Sequence, residues 1–436
     1  MTPDRQRVCI VTPSPIGSNP RVVKEADALC EAGHDVTVVA TRTHDRVESR
    51  DFALMRRTKW RLLRIDLRSR LQRWPGRAMQ VAARKAFGML GGRRLADRAF
   101  SNFTAVLSRA ALQVPADLYI AHYPAALPAV ATAARQHGAR FAYDAEDFHL
   151  GDWPDHANYD ANRLLLREIE GRYLPHCVYV SAAAPLIADA YAQAYSIDRP
   201  CVLLNVFPSG QAPQRPTAKG DAMPGPSIYW FSQTIGPDRG LECAVRAIGL
   251  ARTRPYLYLR GTPAAGFAAR LQELAAKADA GDRLHLLPPA APDEMEHLAA
   301  AYDLGLAAET ACSPNRRICL TNKLFSFLLA GVPPLMSDTP GQRAFAAEAG
   351  LTDLVYAMDD AQQLAGLIDR LLGDGEALAA TRSKVWRLGC ERYNWDLEKA
   401  TLYDLVARAG LRNSNPQGSG RDAVRSPGGP HETATA

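Results

Sequence analysis

The chain has 436 residues, 47% hydrophobic and 22% charged, so two domains of roughly 150–200 residues are expected rather than one core. No apolar run approaches the ~18–20 residues of a membrane span, and the start runs directly into a strand-like VCIVT, so neither a spanning helix nor a secretory signal is expected. The formal charge of +6 is unevenly distributed: residues 56–98 hold fourteen Arg/Lys against two acids, which leaves the rest of the chain mildly acidic.

The eight cysteines are scattered without a CxxC pair, which argues against a zinc or disulfide framework and makes a reducing cytosol the default. In chain order, VCIVT reads as a strand and residues 21–32 as a helix with Val22, Val23, Ala26, Leu29 and Cys30 at helical spacing. Gly33 stops that helix, and DVTVVAT is the next strand, which makes a βαβ unit and hence a parallel sheet. The basic stretch 56–98 reads as helical, with Arg on one face and Trp60, Leu62, Leu63, Leu67, Leu71 and Trp74 on the other. Next come a strand DLYIAH, an Ala-rich helix over 125–136, a strand RFAYDAED, a strand and helix over CVYVSAA and PLIADAYAQAY, and a short strand PCVLLNVFP.

Residues 208–226, rich in Pro, Gly and Ser, interrupt this pattern as an expected linker and hinge. The α/β alternation then resumes with SIYWFSQ, GLECAVRAIGLA, YLYLRG, AAGFAARLQELAAKA, RLHLLP, DEMEHLAAAY and DLGLAAE, followed by TNKLFSFLLAG and VPPLMSD. The polar, Gly/Ser/Pro-rich end at 411–436 is expected to be disordered. Two doubly wound α/β domains facing a cleft are therefore the expected fold, with ligands at the carboxyl ends of the strands.

Several loops at those strand ends carry candidate chemistry. TPSPIGSNPR opens a helix behind Gly17, whose small size lets backbone N–H groups approach a phosphate or a sugar hydroxyl; a plain turn needing φ > 0 is the alternative. His122 ends its strand and can donate to a phosphate or a sugar hydroxyl. YDAEDFHLGDWPDH gathers Asp144, Glu146, Asp147, His149, Asp152 and Asp155. Such a cluster suits acceptor hydroxyls or a general base, or is a solvated acidic loop; its spacing fits no zinc or calcium loop. Gln233 and Arg239 flank a Gly-Pro-Asp turn, and Arg260 ends the next strand; charge-assisted bonds from such arginines suit phosphate. Glu309 ends another strand, Asn315 and Arg316 lie in a loop, and Thr321, Asn322 and Lys323 open a helix whose free N–H groups suit a diphosphate. Thr321 is equally an ordinary N-cap.

SNPRVVKEADALCEAGHDVTVV, DEMEHLAAAYDLGLA and TNKLFSFLLAGVPPLMSDTPGQR make the chain resemble a family 4 glycosyltransferase of the two-domain GT-B fold over most of residues 7–410. The segment CERYNWDLEKATLYDLVAR is similar to that family's terminal helix, which crosses back onto the first domain. The resemblance implies an acceptor-side domain over 1–207, a nucleotide-sugar domain over 227–385 and a crossing helix over 386–410. It implies sugar transfer with retention and no metal or other cofactor. On this resemblance Gly17 lies beside the donor diphosphate and His122 contacts the transferred sugar. Gln233 and Arg239 stand where the family has Arg and Lys. Ser326 stands where the family carries the second of two glutamates, the one that binds the nucleotide ribose, and Glu309 becomes the candidate for contacting the donor sugar. Glu146, Asp147 and His149 are the acceptor-side candidates.

The partners expected are a nucleotide-sugar, a glycan or lipid-linked acceptor, and an anionic bilayer surface met by residues 56–98. A solvated helical pair is the alternative for that segment. Nucleic acid is not expected, because no stacking platform or DNA-reading motif accompanies the basic stretch. The expected location is the cytoplasmic face of the cell membrane, and the resemblance implies a role in bacterial polysaccharide or envelope synthesis. A sugar-nucleotide epimerase of the same fold and a non-catalytic nucleotide-binding partner of another transferase are the alternative functions.

Overall fold

The structure is a computed structural model that describes residues 5–411 apart from 44, 46, 47, 91, 92, 155 and 215–223. The centre of the expected linker, Asp155 and all but the first residue of the expected disordered tail lie outside those residues. The first sheet contains β1 (Arg7–Val11), β2 (Asp35–Arg42), β3 (Arg61–Asp66), β4 (Leu118–His122), β5 (Arg140–Ala145), β6 (Val180–Ala182) and β7 (Cys201–Val202). Its order is β3-β2-β1-β4-β5-β6-β7, all parallel. The second contains β8 (Ser227–Ile235), β9 (Tyr256–Pro263), β10 (Leu284–Leu287), β11 (Leu304–Ala307), β12 (Pro334–Ser337) and β13 (Val355–Tyr356). Its order is β10-β9-β8-β11-β12-β13, again parallel throughout. Strand order reverses beside β1/β4 and β8/β11, so both sheets open a crevice there, at the carboxyl ends of their strands.

The helices that bear on function are α1 (Pro20–Glu31), α2 (Glu48–Arg57), α3 (Arg70–Leu90), α4 (Arg93–Phe100), α5 (Met295–Ala300), α6 (Pro314–Ile318), α7 (Asn322–Ala330) and α8 (Trp395–Leu411). Asn19 caps α1 by accepting from Val22 N at 3.2 Å, with Pro20 in the first turn where its missing N–H is harmless. Every residue of α7 from Lys323 to Ala330 is buried, and it stops at Gly331 in the left-handed conformation (φ 69°). The glycine stop and the buried apolar body fix this helix within the second domain. The helix Gly375–Glu391 packs against α7, so the crossing begins at Trp395, not at residue 386. From there α8 lies on the first domain: Lys399 pairs with Glu31, Glu398 accepts from Leu204 N, and Gln6 Nε2 donates to Val406 O.

The basic stretch 56–98 is not helical throughout. RLLRID forms β3, an edge strand pairing with β2, and charged residues are common on such edges. Trp60 and Leu67 are buried, and the Trp60 indole donates to Asp27 at 2.8 Å. Leu62 and Leu63 pack on the core as well. These side chains hold the edge of the sheet. The exposed apolar face belongs to α3 instead: Trp74, Val81 and Met89 are 70%, 55% and 83% exposed. No helix among the described residues is long and apolar enough to cross a membrane.

Candidate functional site

The second domain's wall of the cleft is built at the start of α7. Glu309, two residues beyond β11, is fixed by a backbone exchange with Ser337 Oγ, which accepts from Glu309 N and donates to its carbonyl. Its carboxylate takes Lys323 Nζ on Oε1 and Arg316 on Oε2, both at 3.0 Å. Burial pushes the Glu309 carboxyl upward, but the two cations hold it below its ordinary value. Burial lowers the Lys323 ammonium, with Arg239 and Arg316 acting in the same direction and Glu309 against them. Arg239 has no hydrogen-bond or ion-pair partner among the described residues, and burial and Arg316 lower it. Two cations thus pair with one carboxylate and a third lies within its field, beside a helix start whose Thr321 Oγ1 is buried with no partner among the described residues. Such a site has an excess of positive charge and free donors, which suits a polyanion. A cavity of about 720 Å³ adjoins it, lined by Glu309, Asp238, Gly240, Thr310, Ser337 and Tyr356.

Several expected residues sit elsewhere. Glu309 is 2% exposed with both oxygens engaged, so it organises the cations and does not reach a sugar. Arg260 is tied to Tyr229 Oη at 2.7 Å and Pro288 O at 2.8 Å, outside the group around Lys323. Gln233 is exposed near the end of β8. Ser326 does not face the cleft: it is fully buried and donates to Glu296 Oε1 on α5 at 2.6 Å. Glu296 Oε2 is buried with no partner among the described residues, and burial raises its carboxyl above the ordinary value. Sequence reasoning missed Glu296; its signal was an acid on the buried side of α5, in step with Ala299 and Ala300.

The first domain's wall is a charge network. Arg21 on α1 makes a two-pronged pair with Asp144 at 2.7 and 3.0 Å. His122 is completely buried, with Nδ1 2.9 Å from Glu146 Oε1 and Nε2 3.1 Å from Glu25 Oε2. Burial opposes its charge, yet Glu25 and Glu146 raise it to about 10, so the ring is held as an imidazolium with no nitrogen left for a sugar, while burial and Asp144 raise Glu25 itself to about 7. Glu25, His122 and Asp144 have the donor spacing of a metal site, but Arg21 already supplies the positive charge there. Gly17 is in a 3-10 turn, buried, and its N–H donates to Asp51 Oδ1 at 2.7 Å. It is therefore neither a phosphate cradle nor a left-handed turn.

Glu146 also accepts from Asn19 Nδ2 at 2.9 Å and remains partly exposed, so it faces the cleft as an oriented carboxylate. Tyr123, which sequence reasoning passed over, has φ 66° and ψ 147°, a backbone region that costs a side-chain-bearing residue about 1–3 kcal/mol. It packs on His149 with ring centroids 5.5 Å apart. His149 Nδ1 lies 2.9 Å from Asp152 Oδ2, and despite burial Asp152 helps raise the imidazole to about 9.

Among the described residues, hydrogen bonds join the two walls at three points. Asn205 Nδ2 donates to Asn322 Oδ1 at 2.8 Å, and Arg50 donates to Ala290 O at 2.8 Å. Asn315 on α6 donates to Asp147 Oδ1 and Asp152 Oδ1 at 2.9 and 3.0 Å and accepts from Phe148 N at 2.9 Å. Asn315 and Asn322 are thus interdomain residues, while Arg316, Lys323 and Arg239 form the cation group.

No curated protein sequence matches the chain. Residues 17–205 match the family described as glycosyl transferase 4-like domain. Among solved structures, HepE from Anabaena in complex with UDP-glucose superposes with a TM-score of 0.68 at 16% identity, over 92% of this chain and 100% of that one. Sucrose-phosphate synthase from Thermosynechococcus elongatus gives 0.68 at 15% identity, over 94% and 100%. At such identities the likeness is one of fold. Residues 17–205 thus resemble a glycosyl transferase 4-like domain, and the chain as a whole has the GT-B fold.

Proposed function

We propose that the protein transfers a sugar from a nucleoside-diphosphate sugar to a glycan or lipid-linked acceptor, with retention and without a metal. The observation that carries this reading is the group of Lys323, Arg316 and Arg239 around Glu309 at the open start of α7. Cations and free N–H groups placed where a diphosphate leaves stabilise the charge that develops as the glycosidic bond breaks. Preorganised charge of this kind commonly supplies most of the rate enhancement in such reactions. HepE, which shares this fold, holds UDP-glucose, and this supports a donor of that chemical class. Glu309 keeps the two cations in register before the donor arrives. The departing phosphate oxygen takes the acceptor's proton, and Glu146, Asp147 and His149 hold the acceptor on the opposite wall.

The acceptor is membrane-held in this reading, at the cytoplasmic face, in bacterial envelope or exopolysaccharide synthesis. The support is α3, which carries five Arg/Lys and no acid and exposes Trp74, Val81 and Met89. The test is nucleotide release from a panel of sugar nucleotides with and without lipid-linked glycan. Acceptor-dependent release with a lengthened glycan is expected. Conversion of the donor with no acceptor would make the protein an epimerase, and binding without turnover a non-catalytic partner.

A further inference from the structure

Asn315 is the residue whose position differs most from what its neighbours in sequence suggest. It lies one residue before Arg316 in the donor-side cation group, yet all its side-chain bonds go to the opposite domain. Both amide hydrogens are taken by carboxylates, on Asp147 and Asp152, and its oxygen is taken by Phe148 N. The side chain is 5% exposed, so a ligand cannot reach the amide while the domains stay together.

The opposing loop is shaped to admit it. A Cβ built on Gly151 would lie 2.8 Å from Asn315 N, 2.9 Å from Pro314 Cβ and 2.7 Å from Phe148 Cδ1. These contacts are closer than carbon atoms tolerate, so α6 seats fully only against glycine.

We propose that Asn315 is a positioning residue that couples closure of the cleft to the order of the acceptor wall. This rests on the sugar-transfer reading above. With the domains together, one amide fixes Asp147 directly and fixes His149 through the other oxygen of Asp152. Asp147 is thereby held within the field of Arg316, which Glu309 already pairs from the donor side. Separating the domains removes the amide from both carboxylates at once, so the acceptor groups are ordered only when the donor wall stands opposite them. Specificity by closure works in this way: the acceptor site is completed after the donor side is in place.

The experiment compares Asn315→Ala, Asn315→Asp and Gly151→Ala with the natural chain, using solution scattering, UDP and GDP affinity, and transfer kinetics. The expected result is an increased radius of gyration in all three variants. Nucleotide affinity stays within about threefold, while kcat/KM for the acceptor falls at least about tenfold, which places the loss after donor binding. Asn315→Asp is the most severe, because it sets a third carboxylate against Asp147 and Asp152. Gly151→Ala acts from the other domain, so its agreement with Asn315→Ala excludes a local folding loss in α6. Nucleotide affinity falling in step with acceptor kcat/KM would overturn the proposal, by making Asn315 a donor ligand. An unchanged radius with unchanged kinetics would overturn it as well. If the natural chain transfers no sugar from any donor, the transferase reading fails, and the scattering comparison still decides whether Asn315 holds the domains together.

Discussion

Ser326 donates its hydroxyl to Glu296 across the α5–α7 packing, 2.6 Å from Oε1, with neither side chain reaching solvent. A glutamate at position 326 would press a second carboxylate against Glu296 in the same buried space. Serine is the side chain that instead hydrogen-bonds the acid already there.

Ser326→Ala removes the hydroxyl that satisfies Glu296, at a cost of about 1–3 kcal/mol for a buried acceptor left unpaired. Burial holds the Glu296 carboxyl above its ordinary value, so the folded state keeps this proton at pH values where the unfolded state has lost it. Stability from this group is therefore lost as pH rises through the folded pKa, and the alanine deficit is larger at pH 8 than at pH 5. Urea unfolding at both pH values checks this; a deficit independent of pH would contradict it.

His122, between Glu25 and Glu146, is expected to stay protonated through neutral pH. Its folded pKa is raised to about 10, so the stability it contributes is full below the unfolded value near 6.5 and is lost as pH rises toward about 10. The ring nitrogen NMR shifts are expected to stay those of an imidazolium between pH 5 and 8, while the neighbouring Glu25, raised to about 7 by burial and Asp144, titrates beside the ring. Nitrogen shifts of a neutral ring at pH 7 would break the network described.

Lys323→Ala is expected to lower the transfer rate by more than about a hundredfold, the scale of losing one charged group at a developing anion. It also leaves Arg316 as the remaining ion-pair partner of Glu309 among the described residues, and half-broken buried pairs cost about 3–5 kcal/mol. The double variant Lys323→Ala, Glu309→Gln recovers stability but not rate. Recovery of both would reduce Lys323 to a structural cation.

On the surface, α3 is expected to bind vesicles of mixed neutral and anionic lipid and to release as salt rises. Replacing Trp74, Val81 and Met89 with serine lowers cosedimentation without shifting the melting temperature, because these side chains are exposed. Equal binding of the variant would remove the membrane from the account.

The sheets were legible because buried parallel strands read as β-branched runs, as in VCIVT and DVTVVAT. RLLRID was not, since its charges suit a half-buried edge and its neighbours suggested a helix. Lys323 and the helix start were legible from local order alone. The partners that redefine Gly17, His122 and Asn315 lie 34, 97 and 168 residues away, and no local pattern announces them. Glu296 was visible only as an acid on an apolar face, a signal that gains meaning once Ser326 is seen beneath it.

The most direct test of the central claim is thermal unfolding of the natural chain and Lys323→Ala against UDP, GDP, ADP, CMP and their sugar conjugates. The account predicts that one nucleoside diphosphate stabilises the natural chain, by about 2.7 kcal/mol at a hundredfold over its dissociation constant, and that Lys323→Ala loses most of that shift. No stabilisation by any of them, or an equal shift in the variant, would contradict a diphosphate site at the start of α7.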